Sequence, residues 1–265
     1  MILPVEATLP HIELEPEPET IDVPEQPPPE EKQPERISRQ ELYEGIKDAA
    51  RCSRIYLAMV VLSTIVAAIG LQHNSVAIII GAMVITPLLA PNVALAFGTT
   101  LGDLSLLWRA LLTALAGIAM AMVLSVIIGV LLRVDPTLPE VASRTRVGLG
   151  DITLALASGC AGALALTTGV STALVGVAVA VALLPPLVAF GLLLGGGQPA
   201  LALGALSLFL VNLICVNLAG VITFLVQGIR PATWWENDRA AKATRIAIAL
   251  WGTLLAALIG MILLL

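Results

Sequence analysis

Charge is scarce in this chain: Asp, Glu, Lys and Arg make up 12% of its 265 residues, where a soluble domain carries about 25%. Aromatic residues stand at 4%, with three cysteines and two histidines. So few cations exclude the basic surface of a nucleic-acid binder. Three cysteines staple no disulfide framework, and Cys52, Cys160 and Cys215 lack the spacing of a zinc or redox site. His11 lies near the N-terminus and His73 stands alone in the rest of the chain, so no metal cluster is expected. Neither a Gly-rich phosphate loop followed by Lys nor a G-x-S-x-G nucleophile turn occurs. The residues point away from an enzyme and away from a cofactor. His73 is the one evident base an intramembrane hydrolase could use.

What the chain does have is apolar surface. Hydrophobic types reach 58%, which leaves a polytopic helical membrane protein as the expected class. The net charge of −5 hides two parts of opposite sign, because residues 1–35 hold ten acids and one base, Lys32, and the remainder is +4. The same 35 residues carry nine of the 17 prolines. Such a segment cannot bury enough apolar surface to offset chain entropy, so residues 1–37 read as a disordered acidic tail. It serves either as a solvated spacer or as a docking motif for a partner. Residues 38–54 read as an amphipathic interfacial helix, opened by a Ser38–Glu41 capping box and carrying Arg39, Lys47, Arg51 and Arg54. Those bases place the N-terminus in the cytoplasm and the protein in the cytoplasmic (inner) membrane.

Seven apolar segments follow, at 55–72, 75–101, 105–132, 152–169, 171–196, 200–228 and 246–265. Each is near or above the roughly 20 residues that cross a bilayer. They group into a first membrane repeat over 55–133, a loop over 134–151, a second repeat over 152–228, a cytoplasmic loop over 229–245 and a C-terminal helix over 246–265. In the third segment Gly117, Ala121, Ser125 and Gly129 recur every four residues. This ladder suits either close packing inside one chain or an interface between copies.

The repeat emerges on a shift of 95 residues. Gly81 then meets Gly176, Pro91 meets Pro186 and Gly102 meets Gly197, without a gap. Pro87 and Pro91 stand mid-run in one copy, and Pro185 and Pro186 in the other. Proline removes an amide donor and frees carbonyls, so a broken helix is expected in each copy. Broken helices at matching places in two repeats are the best sequence pointer to a transport site.

At these residues the chain resembles a known family. Asn74-Ser75, Gly81-Ala82-Met83, Pro87 and Pro91 are similar to one hallmark of the domain-of-unknown-function-389 family of bacterial and archaeal membrane proteins. Ala157-Ser158-Gly159, Gly176-Val177-Ala178 and Leu184-Pro185-Pro186 resemble its second. The resemblance covers about residues 50–230 and implies a membrane fold of unsettled activity. Many relatives carry a larger soluble N-terminal domain, where this chain has the Pro/Glu tail.

Two topologies compete. If every segment spans, each repeat has three crossings and the second is inverted. If 75–101 and 171–196 are re-entrant hairpins, the repeats are parallel and the bases of the 133–151 loop move inside. Inverted repeats are preferred, because His73-Asn74 and Thr168-Gly169 read as ordinary tight turns.

The resulting expectation is an all-α bundle of two three-segment repeats plus one helix. It carries a small solute or ion between two broken helices. The proposed contacts are Thr86, Pro87, Pro91 and Asn92 from one repeat and Leu184, Pro185 and Pro186 from the other, with Asn74 and Asn217 as further candidates. Asp103 is either a helix-end surface acid or a ligand at a pore mouth. No carboxylate lies within a span, so sodium held by uncharged oxygens fits better than a proton relay; an uncoupled channel and an anion site at a half-helix N-terminus remain alternatives. A membrane scaffold or sensor acting through the tail is the rival class.

Overall fold

The structure, a computed structural model, describes residues 39–168 and 172–229 and six isolated positions at 249, 251–253, 256 and 260. The tail, the Ser38 cap, nearly all of the 229–245 loop and the seventh segment as a span lie outside the described residues. All described elements are helices: α1 (Arg39–Ala49), α2 (Arg54–Gln72), α3 (Val76–Ile85), α4 (Leu89–Leu101), α5 (Leu104–Leu132), α6 (Pro139–Ala142), α7 (Leu149–Thr168), α8 (Thr172–Gly195) and α9 (Pro199–Val226).

Local chemistry sets these boundaries. Ser53 caps α2, its hydroxyl accepting from the Tyr56 amide at 3.0 Å. Asn74 turns the chain between α2 and α3 in the left-handed region, at φ 49°. Asp103 caps α5 through the amides of Ser105 and Leu106. Gly102 (φ 67°) and Gly197 (φ 79°) follow α4 and α8 in the left-handed conformation that glycine adopts without strain. At each the next amide reaches back, from Asp103 to the Gly98 carbonyl at 3.0 Å and from Gln198 to that of Leu193 at 2.8 Å.

Four helices, α2, α5, α7 and α9, are each long and apolar enough to cross a membrane. The pair α3–α4 is long and apolar enough together, but it bends by 54° at its break. Pro87 causes the break. It lacks the amide that would reach the Met83 carbonyl, and its ring drives the preceding residue out of the helical region; Thr86 is extended, at φ −71° and ψ 129°. Pro91 does no such damage, because it sits in the first turn of α4, where amides have no helix partner anyway.

The second expected break does not form. Pro185 and Pro186 lie inside α8, which stays helical from Thr172 to Gly195. The Ala182 carbonyl, which an amide at position 186 would have bonded, accepts from the Asn212 side chain of α9 at 2.8 Å. An external donor thus replaces the amide that Pro186 lacks, and the helix runs on.

α8 and α9 form the centre. α5 and α3 pack on α8, α7 and α4 pack on α9, and α8 packs on α9. Small residues set the spacing. A Cβ added at Gly191 would collide with Ser125, and one at Gly129 with the Leu192 backbone. On the α4–α9 seam, a Cβ at Gly220 would lie 2.9 Å from that of Ala96, and Phe97 meets Phe224 edge-on at 5.3 Å. Gly159 of α7 lies against Val216 and Ala219 of α9.

The ladder of Gly117, Ala121, Ser125 and Gly129 is therefore buried within one chain, against Tyr56 of α2 and the backbone of α8. The opposite stripe of α5, with Leu104, Trp108, Leu112, Val123 and Ile127, is exposed and apolar, as a lipid-facing side should be.

Gly129→Val forces α5 off α8 and should lower the melting temperature in detergent by the equivalent of about 1–3 kcal/mol or more. Gly81→Ala, whose new Cβ meets nothing within 4 Å, should leave it unchanged or raise it.

Candidate functional site

Two buried asparagines, Asn92 of α4 and Asn217 of α9, meet next to the break between α3 and α4. Asn92, in the first turns of α4, donates its side-chain amide to the Leu88 carbonyl at 2.7 Å. Its oxygen accepts from Asn217 of α9 at 3.2 Å. The same Asn217 nitrogen also donates to the Leu213 carbonyl of its own helix at 2.9 Å. Asn92 is 2% exposed, Asn217 1% and Thr86 7%.

These contacts fix which end of each amide is oxygen. A carbonyl accepts and never donates, so the end facing it must be NH2. Asn92, Asn212 and Asn217 each turn NH2 onto a backbone carbonyl. What they present elsewhere is oxygen. The Asn92 oxygen is taken by Asn217, while Asn217 Oδ1, Asn212 Oδ1 and Thr86 Oγ1 are buried without a hydrogen-bond partner. Orphaned buried polar atoms are uncommon and costly, at about 1–3 kcal/mol each. Here three occur on Thr86 beside the break and on the two α9 asparagines.

The other expected site residues divide. Pro87 shapes the break and Pro91 starts α4. Leu184 is fully buried in the apolar core, and Pro185 and Pro186 act on α8 through the Ala182 carbonyl rather than at a second break. Asn74 belongs to a turn: its Oδ1 accepts from the Glu140 amide at the start of α6, at 2.9 Å. It lies about 15 Å from the break, the length of α3. Asn212 has a structural role that the sequence signals only as a mid-span amide in a protein with a donor missing at Pro186. Asn212 and Asn217 point to different partners, as their angular separation of about 140° requires.

Asp103 is the N-cap of α5. Its Oδ1 accepts from the Ser105 amide and hydroxyl and from the Leu106 amide, and its Oδ2 from the Tyr43 hydroxyl at 2.6 Å. Four donors converge on this carboxylate, and the Tyr43 contact ties α1 to the α4–α5 corner. Burial alone pushes this carboxyl up, but the Tyr43, Leu106 and Ser105 hydrogen bonds outweigh it and hold its pKa below the usual value. The hydrogen bond to Asp103, aided by burial, pushes Tyr43 up to about 12. Among the described residues no group of three or more His, Cys, Asp or Glu side chains could hold a metal ion.

The sequence family described as a domain of unknown function (DUF389) matches residues 83–218, from α3 to beyond Asn217. The chain belongs to this family. It is also similar to an uncharacterized protein of Methanocaldococcus jannaschii, 40% identical over 233 residues that cover 88% of this chain and 73% of the relative. No solved structure matches the chain.

Two predictions follow from these hydrogen bonds. Asn212→Leu removes the donor to Ala182, whereas Pro186→Ala supplies a backbone amide there. The double variant should therefore lose less stability than the two single losses combined, by about 1 kcal/mol in a thermal double-mutant cycle. For the Tyr43–Asp103 pair, the depressed Asp103 contributes stability above its unfolded value of 3.8, lost as pH falls through its lower folded value. The raised Tyr43 contributes fully below its unfolded value of 10.0, and that contribution is lost as pH climbs towards about 12. Asp103→Asn should bring the ultraviolet titration of one of the two tyrosines down towards 10.

Proposed function

We propose that this membrane-type helical protein is a transporter or channel for a small solute or ion, whose path passes the break between α3 and α4. The observation that carries the reading is the buried Asn92–Asn217 pair at that break, with unpartnered oxygens on Asn217 and Thr86. A break in a lipid-embedded helix is tolerated where its backbone lines a path or is buried in protein. Polar groups left open at such a break are where transporters hold their cargo.

The arrangement of helices supports two inverted repeats. α2 begins at Arg54 and α7 at Leu149, 95 residues later, and α5 and α9 begin at Leu104 and Pro199, again 95 apart. The tight contacts repeat at the same interval, with Ser125 and Gly191 on one seam corresponding to Gly220 and Ala96 on the other. Three crossings per repeat fit the contacts at the two ends of α3–α4. Its start is tied to α6 through Asn74, and its far end to α1 through Tyr43. On this reading α1 and the Tyr43–Asp103 contact face the cytoplasm, where the bases around α1 favour them.

Reconstituted in liposomes, the full chain should pass at least one solute from a panel of monovalent cations, anions and small polar metabolites faster than protein-free vesicles do. Asn92→Ala should cut that flux at least tenfold while its circular dichroism stays native. A wild-type protein silent across the panel sinks the proposal.

A further inference from the structure

We infer that the break between α3 and α4 is a binding site for a monovalent cation, held by uncharged oxygens, with Thr86 Oγ1 as its side-chain ligand. The inference deepens the proposed transport function and rests on its location of the site at the break.

Three observations lead to it. First, the unpartnered atoms are oxygens. Asn217 spends both N–H donors of its side chain, on the Asn92 oxygen and the Leu213 carbonyl, so what it has left is the Oδ1 acceptor, which suits a cation. Secondly, the backbone at the break adds acceptors. Pro87 takes away the amide that would reach the carbonyl of Met83 in an unbroken helix. The C-terminal, partially negative end of α3 opens at Thr86. The N-terminal end of α4 faces the same place with opposite sign, so the two helix ends roughly cancel and the side-chain oxygens decide. Thirdly, there is no carboxylate within α3, α4 or α9. Divalent ions are held by carboxylates because neutral oxygens do not repay the loss of their hydration. A monovalent ion needs less and is held by carbonyl and hydroxyl oxygens alone in membrane proteins. None of the residues of α3 and α4 has an ionisable side chain, so these two helices bring the ion no proton to exchange with.

The purified full chain in detergent, melted in choline chloride, sodium chloride, potassium chloride, lithium chloride or calcium chloride at equal ionic strength, tests the inference. At least one alkali chloride should raise the melting temperature saturably, by about 5–10 °C at a hundredfold excess over its dissociation constant. Calcium should not exceed it. Thr86→Val replaces the orphaned hydroxyl by a methyl of like size, so it should melt no lower than wild type in choline and lose the alkali shift. Thr86→Ser should keep the shift. Equal melting in all five salts, a larger calcium shift, or an undiminished alkali shift in Thr86→Val would overturn the site. The outcome is separable from that of the flux assay. Flux without alkali binding removes the cation site and leaves transport standing, whereas binding without flux does the reverse.

Discussion

A carbonyl freed by proline inside a bilayer has no water to turn to, so its partner must come from the protein itself. Three buried asparagines each give an NH2 group to a backbone carbonyl, and for Asn212 that carbonyl, of Ala182, is one a proline has freed. Where Asn212 supplies the donor, α8 carries two adjacent prolines and remains helical. At Pro87 the preceding residue is thrown into an extended conformation and the chain bends. One kind of residue thus gives two opposite outcomes, decided by whether a neighbouring helix brings a donor.

Those donors arrive only because the helices approach closely. On the seam between α4 and α9, Asn92 meets Asn217, Ala96 meets Gly220, and Phe97 meets Phe224 in turn. Both numbers climb together, so the two helices run in the same direction. A side chain larger than glycine at 220 would part them and pull the asparagine pair apart. Apolar attraction between helices is weak in lipid, and packing of small residues takes its place. The glycines are therefore part of the polar site, although none of them bears a polar side chain.

This division explains what could be read from the amino acids alone. Segment limits were legible because hydrophobic runs and capping residues are local: the expected spans at 55–72 and 105–132 meet α2 and α5 within a residue. The break at Pro87 was legible for the same reason. The continuity of α8 was not, because it depends on Asn212, which lies 30 residues from the carbonyl it bonds. Asn74 looked like a ligand, yet its left-handed turn and its bond to Glu140 are set by the fold. Asp103 illustrates the opposite case. Its cap on Ser105 and Leu106 was local and readable, whereas the Tyr43 contact across 60 residues was not. The small-residue ladder on α5 showed that something must come close, without saying whether that was another helix of the same chain.

The lack of charge at the break has an energetic consequence of its own. A buried carboxylate would bind a cation firmly, but once empty it would be an unpaired charge in a medium that penalises it by several kcal/mol. An empty site of amide and hydroxyl oxygens costs about 1–3 kcal/mol per orphaned group. The occupied and empty states of the neutral site therefore differ by less, and neither needs a compensating proton. On the proposed reading, a carrier or channel must release what it binds, and a site built from neutral oxygens such as Thr86 Oγ1 gives up tightness for turnover. That the chain confines most of its acids to the first 35 residues and keeps α3, α4 and α9 free of them is what this trade requires.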